Sequence, residues 1–171
     1  VSLGHRRVAA TFGPRRYIVQ NQRIRSFRET IDRLDLDPPP EEFLYDFEDG
    51  GAGKKGGDAA VSVYEWTRAL LDRPDRPTAI IGGGHGAGMA IAERGWSVPR
   101  DMSLVEWASP ERAHHDYIPA AASVNTDVSK ITEKAVLRLD DLMNGNKPSP
   151  RVIKIPSLFA SADSTGPAPG T

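Results

Sequence analysis

The sequence predicts an α/β protein, a parallel sheet with helices on both faces in a three-layer α/β/α arrangement. Three observations carry that expectation. Short apolar runs of strand character alternate with stripes of helical period from Arg7 to Trp107. The connections between them are short and punctuated by Pro or Gly. At 171 residues with 39% hydrophobic composition, the chain is long enough to cover a sheet on two sides. Strands that alternate with helices in this way run parallel, joined by right-handed crossovers.

The elements follow in order. Arg7-Val8-Ala9-Ala10-Thr11-Phe12, ended by Gly13-Pro14, reads as a buried strand and a turn. Ile24, Phe27, Ile31 and Leu34 fall on one face of a helix that stops before Pro38-Pro39-Pro40. Phe43 to Phe47 reads as a second strand. Glu48 to Gly57, with five Gly and two Lys, reads as a flexible loop. Asp58 is placed to cap a helix whose Val63, Trp66 and Leu70 share a face, and Pro74 and Pro77 close it. Thr78 to Ile81 makes a third strand. Gly86 to Arg94 makes a helix of small residues ended by Gly95, and Ser103 to Trp107 a fourth strand. A short strand, Ala122 to Asn125, then leads into a helix striped by Val128, Ile131, Ala135, Leu139 and Leu142. Val152–Ile155 and Leu158-Phe159 read as a final strand pair. Residues 161–171, rich in Ser, Gly, Pro and Ala, read as a disordered tail.

Composition removes several functions. With no Cys there is no disulfide framework, thiolate zinc site or cysteine nucleophile. No apolar run approaches the ~18 residues that span a bilayer. Residue 1 is Val, and no charged-then-apolar leader follows it. The net charge of −1 gives no chain-wide nucleic-acid footprint. Charge is nevertheless uneven: residues 1–33 hold eight Arg against Glu29 and Asp32, and residues 34–58 hold eight acids against Lys54 and Lys55. A basic arm for phosphates is one explanation. The plainer one is solvated helix and strand faces, and Arg28 and Arg33 lie beside acids at helical spacing.

Ligands of such sheets sit beyond the carboxyl ends of the strands. That singles out Gly13–Arg16, Phe47–Asp49, Gly82–His85 and Ala108–Pro110. Gly82-x-Gly84-x-x-Ala87 formally satisfies the dinucleotide fingerprint, with Asp101 or Glu106 as the acid further on. The competing explanation is a turn that needs left-handed backbone. His114-His115-Asp116 is a weak metal pattern, because adjacent His cannot face one site from a regular strand. No G-x-S-x-G elbow is present, and the sequence calls for no cofactor.

Several strings, in register, resemble one family. Leu3-Gly4-His5-Arg6-Arg7-Val8-Ala9 is similar to "LGHRRIA". Gly13-Pro14 with Arg23-x-x-x-Phe27 is similar to "GP…RxxGF", with Ser26 in place of Gly. Arg76 to Ile80 is similar to "RPTAI", and Gly95 to Val105 to "GxxVPxDISVV". Tyr117-Ile118-Pro119, Val124-x-x-Asp127 and Ser164-Thr165 follow in order. Together they resemble the C-terminal part of the effector domain of LacI/GalR-type bacterial transcription regulators, which share a type I periplasmic-binding-protein-like fold.

The resemblance implies a division of the chain. Residues 3–121 would form the C-terminal subdomain and 122–147 a strand and helix returned to the N-terminal subdomain. Residues 148–160 would cross back, and 161–171 would trail as the tail. The DNA reader, the hinge and most of the N-terminal subdomain would lie upstream. The apolar stripe of 128–142 would then be poorly ordered, repacked against a neighbour or covered by a complementary piece.

The resemblance also implies roles. Arg23 stands where relatives hold effector hydroxyls, and Phe47 where an aromatic ring stacks on the sugar. His85, Ser109, Thr126 and Asp127 are polar neighbours of the expected cleft. Gly84 and His85 replace the family's Asn and Asp, and Glu106-Trp107-Ala108-Ser109 replaces "GFDD". Those departures point to an unusual effector, sugar-like or anionic given Arg15, Arg16 and Arg23, or to a lost effector response. Homodimerisation would use Met89, Ile91, Ala92 and the Arg112–Ile118 stretch, with Tyr117 and Ile118 in it. The expected function is therefore the effector-binding, dimerising half of a cytoplasmic regulator that meets operator DNA only through its missing N-terminal domain and has no membrane partner. The alternatives are a solute-binding protein of a sugar transporter, or a nucleotide-dependent enzyme using Gly82–Gly88.

Overall fold

The computed structural model describes residues 1–46, 59–107, 120–147 and 150–170. Among them, six strands form one sheet: β1 (Val8–Phe12), β2 (Leu44–Asp46), β3 (Ala79–Ile81), β4 (Ser103–Glu106), β5 (Ala122–Asn125) and β6 (Leu158–Ala160). Their spatial order is β2-β1-β3-β4-β5-β6. Every neighbouring pair is parallel except β5 with β6. Among the described residues, four α-helices accompany them: α1 (Ile18–Arg33), α2 (Ala59–Leu71), α3 (Gly84–Glu93) and α4 (Val128–Met143).

The alternation of side chains along each strand divides the core in two. Ala9, Ile80 and Leu104 pack with Val63, Leu70 and Leu71 of α2 and Ala87 and Ile91 of α3. Ala10 and Phe12, with Ile81 and Trp107 beside them, pack with Ile24 and Phe27 of α1. Helices therefore cover both faces, as the sequence predicts. The shared face of Val63, Trp66 and Leu70 is also found, with Leu70 only 2% exposed. Truncating such a residue to Ala costs about 2–5 kcal/mol.

The charge asymmetry resolves locally. Arg6 pairs with Asp37 at 3.1 Å, and Arg28 with Glu41. The basic segment thus answers part of the acidic one that follows it. These pairs are exposed and contribute little stability each.

Four expectations need correction. β5 belongs to the main sheet, because Val105 pairs with Ala122 and Glu106 with Ser123. The strand at 122–125 is therefore part of the first unit, and only α4 stands apart. Val152–Ile155 forms no strand; Leu158–Ala160 alone pairs with β5. A β-branched, apolar run had the right composition, but no strand edge is beside it to complete its hydrogen bonds.

The tail, expected to be disordered, is built into the sheet's N-terminal end. Ser164 is fully buried; its Oγ donates to Leu104 O at 2.6 Å and accepts from Ala122 N at 2.8 Å. Buried His5 meets Gly166 O at 2.9 Å through Nε2 and Thr78 Oγ1 at 2.9 Å through Nδ1. Burial lowers the His5 pKa, opposed by its bond to Gly166. Small, turn-forming residues carry no local signal of order, which here comes from bonds to residues distant in sequence.

The helix α4 is formed rather than poorly ordered, and Ile131 and Ala135 of its stripe line a groove with Ile153 and Ile155. Val128 is 66%, Ile131 41%, Leu139 57% and Leu142 57% exposed. Asp127 caps it, its carboxylate accepting from Lys130 N at 2.9 Å.

Candidate functional site

The C-terminal edge of the parallel sheet gathers the ends of β1, β3 and β4. Three glycines follow β3, all with left-handed backbone: Gly82 (φ 85°), Gly83 (φ 96°) and Gly84 (φ 50°). Space forces the first as well as backbone. A Cβ on Gly82 would stand 2.1 Å from Thr11 Oγ1 and 2.8 Å from Trp107 Cδ1. The turn therefore presses against β1 and the residue that ends β4.

Trp107 is the organising side chain on the α1 side. Its Nε1 donates to Thr11 O at 2.9 Å, which ties β4 to β1 across β3. The Arg23 guanidinium stacks over the indole, 5.1 Å from the ring centroid, while Nη1 donates to Gln20 Oε1 at 3.5 Å. A cation over an aromatic face in this way is held by attraction to the ring. Val19, Ser26, Phe27 and Ile81 join Arg23 and Trp107 around a groove of about 370 Å³. That volume lies within the range of roughly 300–1,000 Å³ for small-molecule sites.

On the α2 and α3 side the decisive group is Glu106. It is 5% exposed, and its carboxylate accepts the Gly84 N–H at 2.9 Å. The N-cap of α3, Gly83, has no side chain to do this, so Glu106 caps the helix from the neighbouring strand. Burial pushes its pKa up to about 7, with the Gly84 bond opposing. This also removes the basis for the phosphate reading. A dinucleotide needs the amides at the start of α3 and its positive end, and a carboxylate already takes the first of those amides and places a like charge there. Asp101, the other acid of that reading, is bound to Ser97 N at 2.8 Å and paired with Arg100, which closes its own loop.

The remaining expected residues divide three ways. Arg23 is brought to the edge, half-buried, and His85 lies exposed in the first turn of α3. Thr126 is exposed and Asp127 is engaged as the α4 cap, one element removed from the groove. Phe47, Ser109, Tyr117 and Ile118 lie outside the described residues, as do His114, His115 and Asp116. Of the dimer residues, Met89 and Ala92 are half-buried, while Ile91 is 1% exposed. Ile91 must be withdrawn from an interface, because its side chain fills the contact between α2 and α3. Among the described residues no three His, Cys, Asp or Glu are grouped to hold a metal.

Sequence reasoning missed Trp107, and it offered Glu106 only as the acid of a dinucleotide fingerprint rather than as the cap of α3. The signal was present: a Glu-Trp pair ends a strand at the ligand-bearing edge, directly across from three glycines. What hid it was comparison with a motif that carries Gly and Phe at those two positions and its polar groups at the next two.

The model of a periplasmic binding protein-like domain matches residues 1–161. The chain belongs to that family. The resemblance to LacI-type regulators holds within it. The chain is 25% identical over 160 residues to the HTH-type transcriptional repressor PurR of Escherichia coli O139:H28 (strain E24377A / ETEC), covering 91% of this chain and 43% of that protein. The same figures describe the PurR repressor of Shigella boydii serotype 18. The chain thus spans under half the length of the curated relatives it matches. Among solved structures, a LacI family transcriptional regulator from Bifidobacterium animalis subsp. lactis superposes with TM-score 0.78 at 22% identity, covering 98% of this chain and 58% of that one. A dimeric Lac repressor with an 11-residue C-terminal deletion gives 0.76 at 24%, covering 99% and 58%. These structural matches establish the shared fold.

Proposed function

We propose that this chain is the small-molecule-sensing portion of a LacI-type transcription regulator, acting in the cytoplasm as a homodimer and meeting operator DNA through a separate module. The observation that carries the reading is the Arg23–Trp107 groove, at the sheet edge where ligands of this architecture bind. The similarity to transcriptional repressors favours a regulator over a transport receptor of the same fold. In this role the chain is a binding protein, and its chemistry is recognition.

Arg23 supplies hydrogen-bond donors for hydroxyl or acidic oxygens, and Trp107 supplies an apolar wall. A sugar-like or acidic effector suits that pair. The test is a melting screen of the chain against sugars, sugar acids, purines and amines. A true effector at ten times its Kd raises Tm by about 3–6 °C for a domain of this size. The shift disappears in Arg23→Ala. No stabilising class, or a shift of equal size in Arg23→Ala, removes this function from the groove.

A further inference from the structure

We propose that Glu106 and Ser123 form an amine-binding subsite, one that takes a hydrogen-bond-donating nitrogen cation of the effector. This rests on the sensing role above and specifies one end of the molecule sensed.

Glu106 ends β4, and Ser123, the second residue of the parallel β5, is its register partner, so their side chains share the α3 face of the sheet. Glu106 is 5% and Ser123 0% exposed. Buried carboxylates are ordinarily paired with a cation or a metal. Glu106 has one backbone donor, Gly84 N, and no salt-bridge partner among the described residues. Ser123 Oγ has no hydrogen-bond partner among them at all. Two buried acceptors thus stand side by side at the ligand-bearing edge, one of them charged.

The chemistry of the occupant follows from the donors and acceptors. An anion is repelled by Glu106 and finds the α3 amide it would need already bonded. A divalent metal needs more oxygen ligands than one carboxylate and one hydroxyl supply. An ammonium group carries three donors and a positive charge; it satisfies Glu106 and Ser123 Oγ together and supplies a counter-ion that no described residue provides. Burial, which raises the Glu106 pKa to about 7, makes the cost of the unpaired carboxylate explicit. A bound cation offsets it.

The experiment follows backbone amides by NMR in the 171-residue chain at pH 8. Methylammonium chloride is titrated, then sodium acetate, each against matched sodium chloride. Methylammonium is expected to move the Gly84, Glu106 and Ser123 amides saturably, half-saturating on the order of 10 mM, the ceiling for so small a ligand. Glu106→Gln abolishes the saturable shift, and Ser123→Ala weakens binding about fivefold. Unsaturable shifts, shifts that survive in Glu106→Gln, or acetate moving the same amides would overturn the subsite. If methylammonium fails while a sugar or sugar acid still moves Arg23 and Trp107, the sensing role stands and the amine assignment falls. If methylammonium binds and no other small molecule reaches Arg23 and Trp107, the subsite stands and the groove loses its role.

Discussion

Residue by residue, Glu106 is the position where the chemistry is most exposed to test. Its folded pKa of about 7 lies above the ordinary value of 4.5, so the folded state holds a proton that the unfolded state has released between those limits. Its contribution is therefore fully present below pH 4.5 and lost as pH rises through 7. At 1.36 kcal/mol per pKa unit the loss is on the order of 3 kcal/mol. Glu106→Gln keeps an acceptor for Gly84 N–H without a buried charge. It should be the more stable protein at pH 8 and should equal the wild type near pH 4.5. Denaturant melts at several pH values decide this, and a variant less stable at pH 8 contradicts it. His5 runs the other way: its pKa is lowered by burial, so its contribution is lost as pH falls. The difference between wild type and Glu106→Gln cancels that term. Trp107 makes a separate prediction. Its Ala variant loses the bond to Thr11 O and the support for Arg23, and should cost about 2–3 kcal/mol while abolishing groove ligands.

The elements show which parts of the sequence were legible. Strands β1, β3 and β4 and helices α2 and α3 lie close to where apolar period and Gly or Pro punctuation put them, because their burial is set by neighbours within the chain. The Val152–Ile155 run and the tail were misjudged for the opposite reason. Strand state depends on an available edge, and order in the tail depends on Ser164 and His5 reaching backbone far away in sequence. Ser164→Ala leaves the Leu104 carbonyl and the Ala122 amide short of partners in a buried place. It should destabilise by about 2–4 kcal/mol and speed hydrogen exchange in β4 and β5. An unchanged melt would mean the tail is dispensable. Gly82→Ala combines positive φ with a clash at Thr11 and Trp107 and should cost about 2–4 kcal/mol, read by the same melts. A neutral result would show the turn relaxes freely.

In the whole molecule, one sheet with helices on two faces leaves α4 as the outlier. Its exposed stripe exceeds what a lone surface helix needs, and contiguous apolar surface of this kind promotes association. Leu139→Lys with Leu142→Lys should leave folding stability within about 0.5 kcal/mol, since neither residue is buried. Sedimentation should show less self-association than in the wild type. Large destabilisation would mean the stripe packs within the chain. The candidate site was only partly legible at this scale. Strand order placed Arg23 and the glycine turn at the right edge, but Glu106 becomes meaningful only once β4, β5 and α3 are brought together. A second groove, about 340 Å³, runs between α4 and the 151–155 segment, past Ile131, Arg138 and Ile153. It offers a direct rival to the groove at Trp107. Hydrogen exchange with and without a stabilising ligand from the melting screen separates them. Protection concentrated in α1, the Gly82–Gly84 turn and the end of β4 is the predicted result; protection confined to α4 and residues 151–155 would contradict the account.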